Sequence, residues 1–137
     1  MKEPPYEGSC LCSETRYRAT GPASHVGYCH CRTCRRASGA PFVAWVTFEK
    51  ARFQFTKGAP ARFSSSENVV RGFCGRCGTP LTYENLVTPS EIDVTVSTLD
   101  EPGALAPGFH IWVSHKLPWV SVDDGLPQYP TTREDVL

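Results

Sequence analysis

The sequence lacks several features that would each define a class of protein. Its 14 basic and 14 acidic residues leave a formal net charge of zero, so general binding of nucleic acid or of another polyanion is unsupported. No run approaches the roughly 20 apolar residues of a membrane span. Residues 1–8 carry charges and two prolines without an apolar stretch, which does not match a signal peptide. We therefore expect a soluble, cytoplasmic protein without a membrane partner.

The length and the spacing of proline and glycine predict one β-rich domain. A chain of 137 residues fits a single domain, here 1–137, with a small core. Twelve prolines and eleven glycines separate short runs rich in β-branched and aromatic residues, which is typical of strands. The predicted strands are 14–19, 25–28, 42–48, 52–56, 61–65, 69–73, 79–83, 91–97 and 109–113. We expect a mainly β fold of twisted antiparallel sheets.

Two segments give the clearest local predictions. Residues 91–97 alternate, so that Ile92 and Val94 share one face of a half-buried strand while Asp93 shares the other face with its polar neighbours. One short helix is predicted over 33–37, because Gly39 and Pro41 follow it and favour its end there. Segment 101–108 is predicted to be a surface loop.

All seven cysteines fall into three tight groups. These are Cys10-x-Cys12, Cys29-His30-Cys31-x-x-Cys34 and Cys74-x-x-Cys77. Zinc binds thiolates with this spacing, whereas cysteines one or two residues apart rarely have the geometry of a mutual disulfide. Since two four-thiolate sites would need eight cysteines, the count suggests four ligands for one ion and three for another. Cys10, Cys12, Cys74 and Cys77 form the natural closed, structural set.

The remaining group, Cys29, Cys31 and Cys34, leaves one corner of a zinc ion for water or substrate, which is the catalytic pattern. Three thiolates would give this site a net negative charge. Nearby arginines in the same loop offset it or form a solvated basic face; they are Arg32, Arg35 and Arg36. His30 is an alternative fourth ligand, although an exposed loop position is the simpler interpretation.

These motifs carry a resemblance to a known family. The segments GSCLC (8–12), CHCRTCRRASGAPF (29–42) and FCGRCGTPL (73–81) resemble the glutathione-dependent formaldehyde-activating enzyme family, which includes centromere protein V. STLDEP (97–102), HIWV (110–113) and LPW (117–119) are similar to it too. The resemblance runs from about residue 6 to residue 129.

The resemblance implies a fold, a metal content and a reaction. The fold is a β-tent, related to zinc ribbons and carrying zinc knuckles. The two Zn²⁺ ions per chain are a structural one on Cys10, Cys12, Cys74 and Cys77, and an active-site one on Cys29, Cys31 and Cys34. The activity implied is that of a carbon–sulfur lyase, which joins glutathione and formaldehyde into S-hydroxymethylglutathione.

The chemistry also follows from the residues. Metal coordination deprotonates a thiol and holds it in place, so a bound thiolate beside an aldehyde gains ionisation and orientation. Candidate proton relays are His30, His110, His115 and Tyr83, each of which also has an ordinary structural interpretation. Trp45, Trp112 and Trp119 are expected in the core. The alternatives to an enzyme are a non-catalytic module that binds glutathione and a structural or interaction protein with two closed zinc sites.

Overall fold

Two β-sheets make up the computed structural model, which describes residues 3–133. The ends of the predicted domain, 1–2 and 134–137, lie outside the described residues. The mainly β fold expected from the sequence is confirmed. The smaller sheet has the order β1-β2-β5 and is antiparallel. Its strands are β1 (Tyr6–Ser9), β2 (Arg16–Ala19) and β5 (Phe53–Lys57).

The larger sheet has seven strands. They are β3 (Ser24–Cys29), β4 (Val43–Glu49), β6 (Ala61–Ser66), β7 (Val69–Phe73), β8 (Pro80–Asn85), β9 (Glu91–Thr95) and β10 (His110–Ile111). Their spatial order is β10-β3-β4-β9-β8-β7-β6. Neighbours are antiparallel apart from β10 and β3, which run parallel.

The helices are short. Helix α1 spans Arg32–Ser38, begins after Cys31 and ends at Gly39, whose φ of 70° is the left-handed geometry that glycine tolerates. Four 3₁₀ turns connect other elements: Lys50–Arg52, Val96–Thr98, Pro102–Ala104 and Val113–His115. Within residues 3–133, no helix has the length and apolar character needed to span a membrane.

The core lies on one face of the larger sheet, against the smaller sheet. On β9, Ile92 and Val94 are fully buried, as their alternation predicts. They pack in one cluster with Tyr17 of β2 and Phe48 of β4, and burying each such side chain contributes about 1.5–3 kcal/mol. Because neighbours along a strand point to opposite faces, Asp93 of β9 is directed to the other face of the sheet. That opposite face carries the candidate site.

Candidate metal centres and adjoining cavity

Four cysteines converge from two distant segments of the chain. They are Cys10, Cys12, Cys74 and Cys77, whose sulfurs all lie within 4.8 Å of one another. The Sγ of Cys12 lies 3.7 Å from that of Cys10 and 3.7 Å from that of Cys74. A tetrahedral zinc ion with sulfurs at about 2.3 Å separates them by about 3.8 Å. The donors and their spacing therefore fit a four-thiolate metal site.

Backbone and hydroxyl donors surround this first group. The amides of Arg76 and Cys77 each donate to Cys74 Sγ at 3.4 Å, and the amide of Thr15 donates to Cys10 Sγ at 3.3 Å. The hydroxyl of Thr79 lies 3.2 Å from Cys77 Sγ, and this hydrogen bond lowers the pKa of the Cys77 thiol to about 5. The contacts at Cys74 and Cys77 lower the pKa of both thiols and so favour the thiolate form that a metal ion requires.

The second cysteine group lies at the start of α1. Cys29 ends β3, Cys31 caps the helix, and Cys34 lies in its first turn, with all three sulfurs within 4.8 Å. The amide of Cys34 donates to Cys31 Sγ at 3.3 Å. Hydrogen bonds from the Cys29 and Cys34 thiols lower the pKa of Cys31 well below its usual range. Three soft donors from six consecutive residues fit a metal with one remaining corner.

Arg71 is a neighbour of the second group that the sequence reasoning missed. Its Nη1 and Nη2 each lie 3.7 Å from Cys34 Sγ, and its Nε donates to Ser65 Oγ at 3.1 Å. The residue is 7% exposed, and its guanidinium lies over the ring of Tyr83 at 5.1 Å. The sequence feature that could have identified Arg71 is that it is the one charged residue within the otherwise apolar strand β7.

The arginines expected to offset the thiolate charge lie differently. Arg32 lines the cavity described below. Arg35 has a buried Nε without a hydrogen-bond partner. Within residues 3–133, the guanidinium that contacts a cysteine of this group belongs to Arg71, which arrives from another strand. Proximity to the cysteines in the sequence therefore did not identify the cation that contacts them.

The expectation that His30 occupies an exposed loop position is wrong. Its side chain is fully buried, and its Nε2 lies 2.8 Å from His110 Nδ1. His110 in turn contacts Asp124, with Nε2 2.7 Å from Oδ2. Burial lowers the pKa of His30 to about 4. Within the described chain, the donor group at this site contains Cys29, Cys31 and Cys34 without His30.

A cavity of about 770 Å³ opens over the second cysteine group. Its walls include Cys29, Cys31, Cys34, Arg71, Tyr83, Asp93, Thr47, Trp45, Trp112, Phe109, His25 and His115. Among the described residues, the lining contains none of the four cysteines of the first group. Two of the expected proton relays, Tyr83 and His115, face this cavity. The second cysteine group alone is therefore open to a ligand in this space.

The tryptophans expected in the core lie elsewhere. Trp45 and Trp112 line the cavity, and Trp119 is 71% exposed. The core positions are filled by Tyr17, Phe48 and aliphatic side chains instead. Aromatic residues favour both cores and binding surfaces, so residue type did not separate the two.

Comparison with known proteins gives the family. A sequence profile of the glutathione-dependent formaldehyde-activating enzyme family matches residues 5–115. The chain belongs to this family. The match confirms the resemblance found in the motifs, and the matched region of the family profile includes all seven cysteines together with Arg71, Tyr83 and Asp93.

Two further proteins are similar to this family member. An uncharacterized lyase of Schizosaccharomyces pombe is 34% identical over 80 residues, which cover 58% of each chain. The match thus spans just over half the length of that relative. A crystal structure of a Rhodobacter sphaeroides protein superimposes with a TM-score of 0.56 at 19% identity, covering 90% of this chain and 98% of the other. This likeness supports the fold.

Proposed function

We propose that the protein is a zinc-dependent carbon–sulfur lyase that adds a thiol, glutathione, to a small aldehyde such as formaldehyde. The observation that carries the proposal is the different surroundings of the two cysteine groups. Cys29, Cys31 and Cys34 open into a cavity of about 770 Å³, while the other four do not line it. Membership of a family named for glutathione and formaldehyde supports this reaction, and the lyase name of the yeast relative is consistent with it.

The proposed metal sites divide structure from chemistry. Cys10, Cys12, Cys74 and Cys77 would hold a structural zinc ion that joins β1 to the turn between β7 and β8. Cys29, Cys31 and Cys34 would hold a second ion with one open corner. When bound there, zinc supplies thiol ionisation and polarisation of the aldehyde oxygen.

The protein's own residues would orient the reactants and balance charge. Arg71 places its guanidinium against Cys34 and offsets the negative charge of three thiolates. In the reaction, the thiol sulfur bonds to the aldehyde carbon, the carbon–oxygen π bond breaks, and the proton lost by the thiol ends on the new hydroxyl oxygen. Tyr83 and His115 line the cavity and are the candidates to carry that proton.

The size of the cavity favours a thiol larger than the aldehyde. Pockets that enclose small organic ligands have volumes of about 300–1,000 Å³, and the cavity here falls within that range. Formaldehyde, with two heavy atoms, leaves most of this space for its partner. A peptide thiol such as glutathione would fill more of the cavity than a small thiol would.

Exchange NMR at equilibrium tests the proposal. The interconversion rate of glutathione, formaldehyde and their adduct is measured without protein, with the zinc-loaded protein and with its Cys34→Ser variant at matched pH. Acceleration above the spontaneous rate that disappears in the variant is the expected result. No acceleration at any protein concentration would contradict the proposal and leave a thiol-binding or structural module.

A further inference from the structure

One row of side chains crosses four strands of the larger sheet and faces the cavity. Arg71 of β7 is paired with Tyr83 of β8, Tyr83 with Asp93 of β9, and Asp93 with Thr47 of β4. Residues directly opposite one another on neighbouring strands share a face. All four line the cavity, so the row runs along its floor, and Arg71 at one end of the row touches Cys34.

Asp93 is the acidic member of this row. Its Oδ1 accepts a hydrogen bond from Thr47 Oγ1 at 2.7 Å. Burial and, to a smaller extent, the neighbouring carboxylate of Glu91 raise the pKa of the Asp93 carboxyl to about 6. Within residues 3–133, Asp93 forms no ion pair with a basic side chain. A carboxylate that is costly to ionise therefore faces the cavity, and no basic side chain of the described residues forms an ion pair with it.

We propose that Asp93 binds the ammonium group of the thiol substrate and so makes the site specific for thiols that carry an amino group. This inference rests on the proposed function, because the thiol is taken to occupy the second cysteine group. A partly buried carboxylate with one hydrogen-bond donor needs a cation to complete its surroundings. A ligand ammonium supplies both the charge and the additional donors.

The spacing along the row suits a short peptide thiol. Arg71 touches Cys34, and Asp93 lies two strands beyond Arg71. Neighbouring strands are about 4.8 Å apart, so the backbones of β7 and β9 are separated by roughly 10 Å. In glutathione, eight bonds join the cysteine sulfur to the amino nitrogen, so these two atoms can lie up to about 10 Å apart. The sulfur can therefore lie at the cysteine group beside Arg71 while the amino group reaches Asp93.

Two ligands that differ by the amino group test this inference. Affinities of the zinc-loaded protein for glutathione and for glutaryl-cysteinylglycine, which is glutathione without its amino group, are measured by titration calorimetry. The wild type should bind glutathione about tenfold or more tightly. Equal affinity for the two ligands in the wild-type protein would overturn the inference, whatever any variant does.

Two variants test which residue is responsible for the preference for glutathione. In Asp93→Asn, which keeps an acceptor for Thr47, the preference for glutathione should fall to about twofold or less, through weaker binding of glutathione alone. Glu91→Gln is the matched control, because it removes an exposed carboxylate that lines the same cavity on the same strand face. It should keep the preference. A preference that survives in Asp93→Asn would contradict the assignment of the ammonium site to this residue.

Three outcomes separate this inference from the proposed function. If neither ligand binds the zinc-loaded protein, the proposed function fails and the ammonium site fails with it. If both ligands bind equally and the exchange reaction is accelerated, the function stands and the ammonium site is wrong. If Asp93→Asn slows exchange but leaves the ligand preference unchanged, Asp93 acts on the reaction and does not bind the ammonium group.

Discussion

The guanidinium of Arg71 lies against the thiol of Cys34, with Nη1 and Nη2 each 3.7 Å from Sγ. The contact joins β7 to α1 through two residues that lie 37 positions apart along the chain. Arg71 also donates to Thr33 Oγ1 at 3.2 Å. A buried cation fixed by these contacts would stabilise a negatively charged cluster of thiolates and hold its helix in place.

Replacing Arg71 should weaken metal binding at the second cysteine group. Since residues that contact metal ligands typically change affinity by about 10–100-fold when mutated, Arg71→Met should raise the zinc dissociation constant of that site by this factor. The first group should be unaffected. Competition with a chromogenic chelator measures both sites. Arg62→Met, which removes an exposed arginine from the neighbouring strand β6, is the control, and an equal loss in both variants would contradict the role of Arg71.

The two cysteine groups should differ in their contribution to stability. Cys74→Ser removes a donor from the group that joins distant segments, so it should lose zinc and unfold the domain, because metal affinity at such a site is folding free energy. Cys34→Ser should lose about one zinc ion and keep most of the fold. Metal content and circular dichroism of the two variants check this. Equal unfolding by both substitutions would refute the division between a structural and an open site.

The ionised carboxylate of Asp93 should lower the free energy of unfolding at neutral pH. Its pKa is raised to about 6 in the folded protein, above the unfolded value of about 3.9. The folded state therefore binds the proton more tightly than the unfolded state does. As a result, the free energy of unfolding rises as the pH falls through 6 towards 4. At pH 7.5, Asp93→Asn should be as stable as the wild type or more stable, by up to about 2–3 kcal/mol.

Urea unfolding of both proteins between pH 7.5 and 5 checks this pH dependence. The advantage of Asp93→Asn should shrink by about 1 kcal/mol or more across that interval, because the wild-type carboxyl becomes protonated. Comparing the two proteins cancels the effect of acid on the cysteines. A constant difference would mean that the carboxyl titrates near its ordinary pKa. Together with weaker glutathione binding, the expected result would show a residue kept for ligand binding at a cost in stability.

His30 should act through the fold without binding zinc. Its imidazole is fully buried and contacts His110 at 2.8 Å, so His30→Gln should reduce the free energy of unfolding by about 1–3 kcal/mol. The purified variant should still contain two zinc ions. Metal analysis and urea unfolding on the same sample separate these effects. Loss of one zinc ion with unchanged stability would make His30 a ligand and would close the second site.

Local signals in the sequence predicted the elements with strong patterns. The alternation at 91–97 gave β9, which ends at Thr95 because Val96–Thr98 turns into a 3₁₀ helix. Gly39 marked the end of α1. Strand β1 (Tyr6–Ser9) was missed, since four residues with a glycine and few apolar side chains carry little periodicity. Pairing with β2 supplies the hydrogen bonds that define it.

The cavity could not be predicted, because it depends on strand register. The spacing of the cysteines is visible in the sequence. Arg71, Tyr83 and Asp93, in contrast, become neighbours only through the pairing of β7, β8 and β9. On the sequence alone, Asp93 is merely the polar half of an alternating strand. Likewise, the burial of His30 depends on His110, which lies 80 residues later.

Thiol binding to a cobalt-substituted second site tests most directly whether that site is open. Cobalt replaces zinc at Cys29, Cys31 and Cys34, glutathione is added, and the charge-transfer bands are recorded, with Cys34→Ser as the control for the site. We predict that the bands shift and saturate as glutathione supplies a further sulfur ligand. Bands that ignore glutathione at millimolar concentration would contradict an open site and, with it, the proposed chemistry.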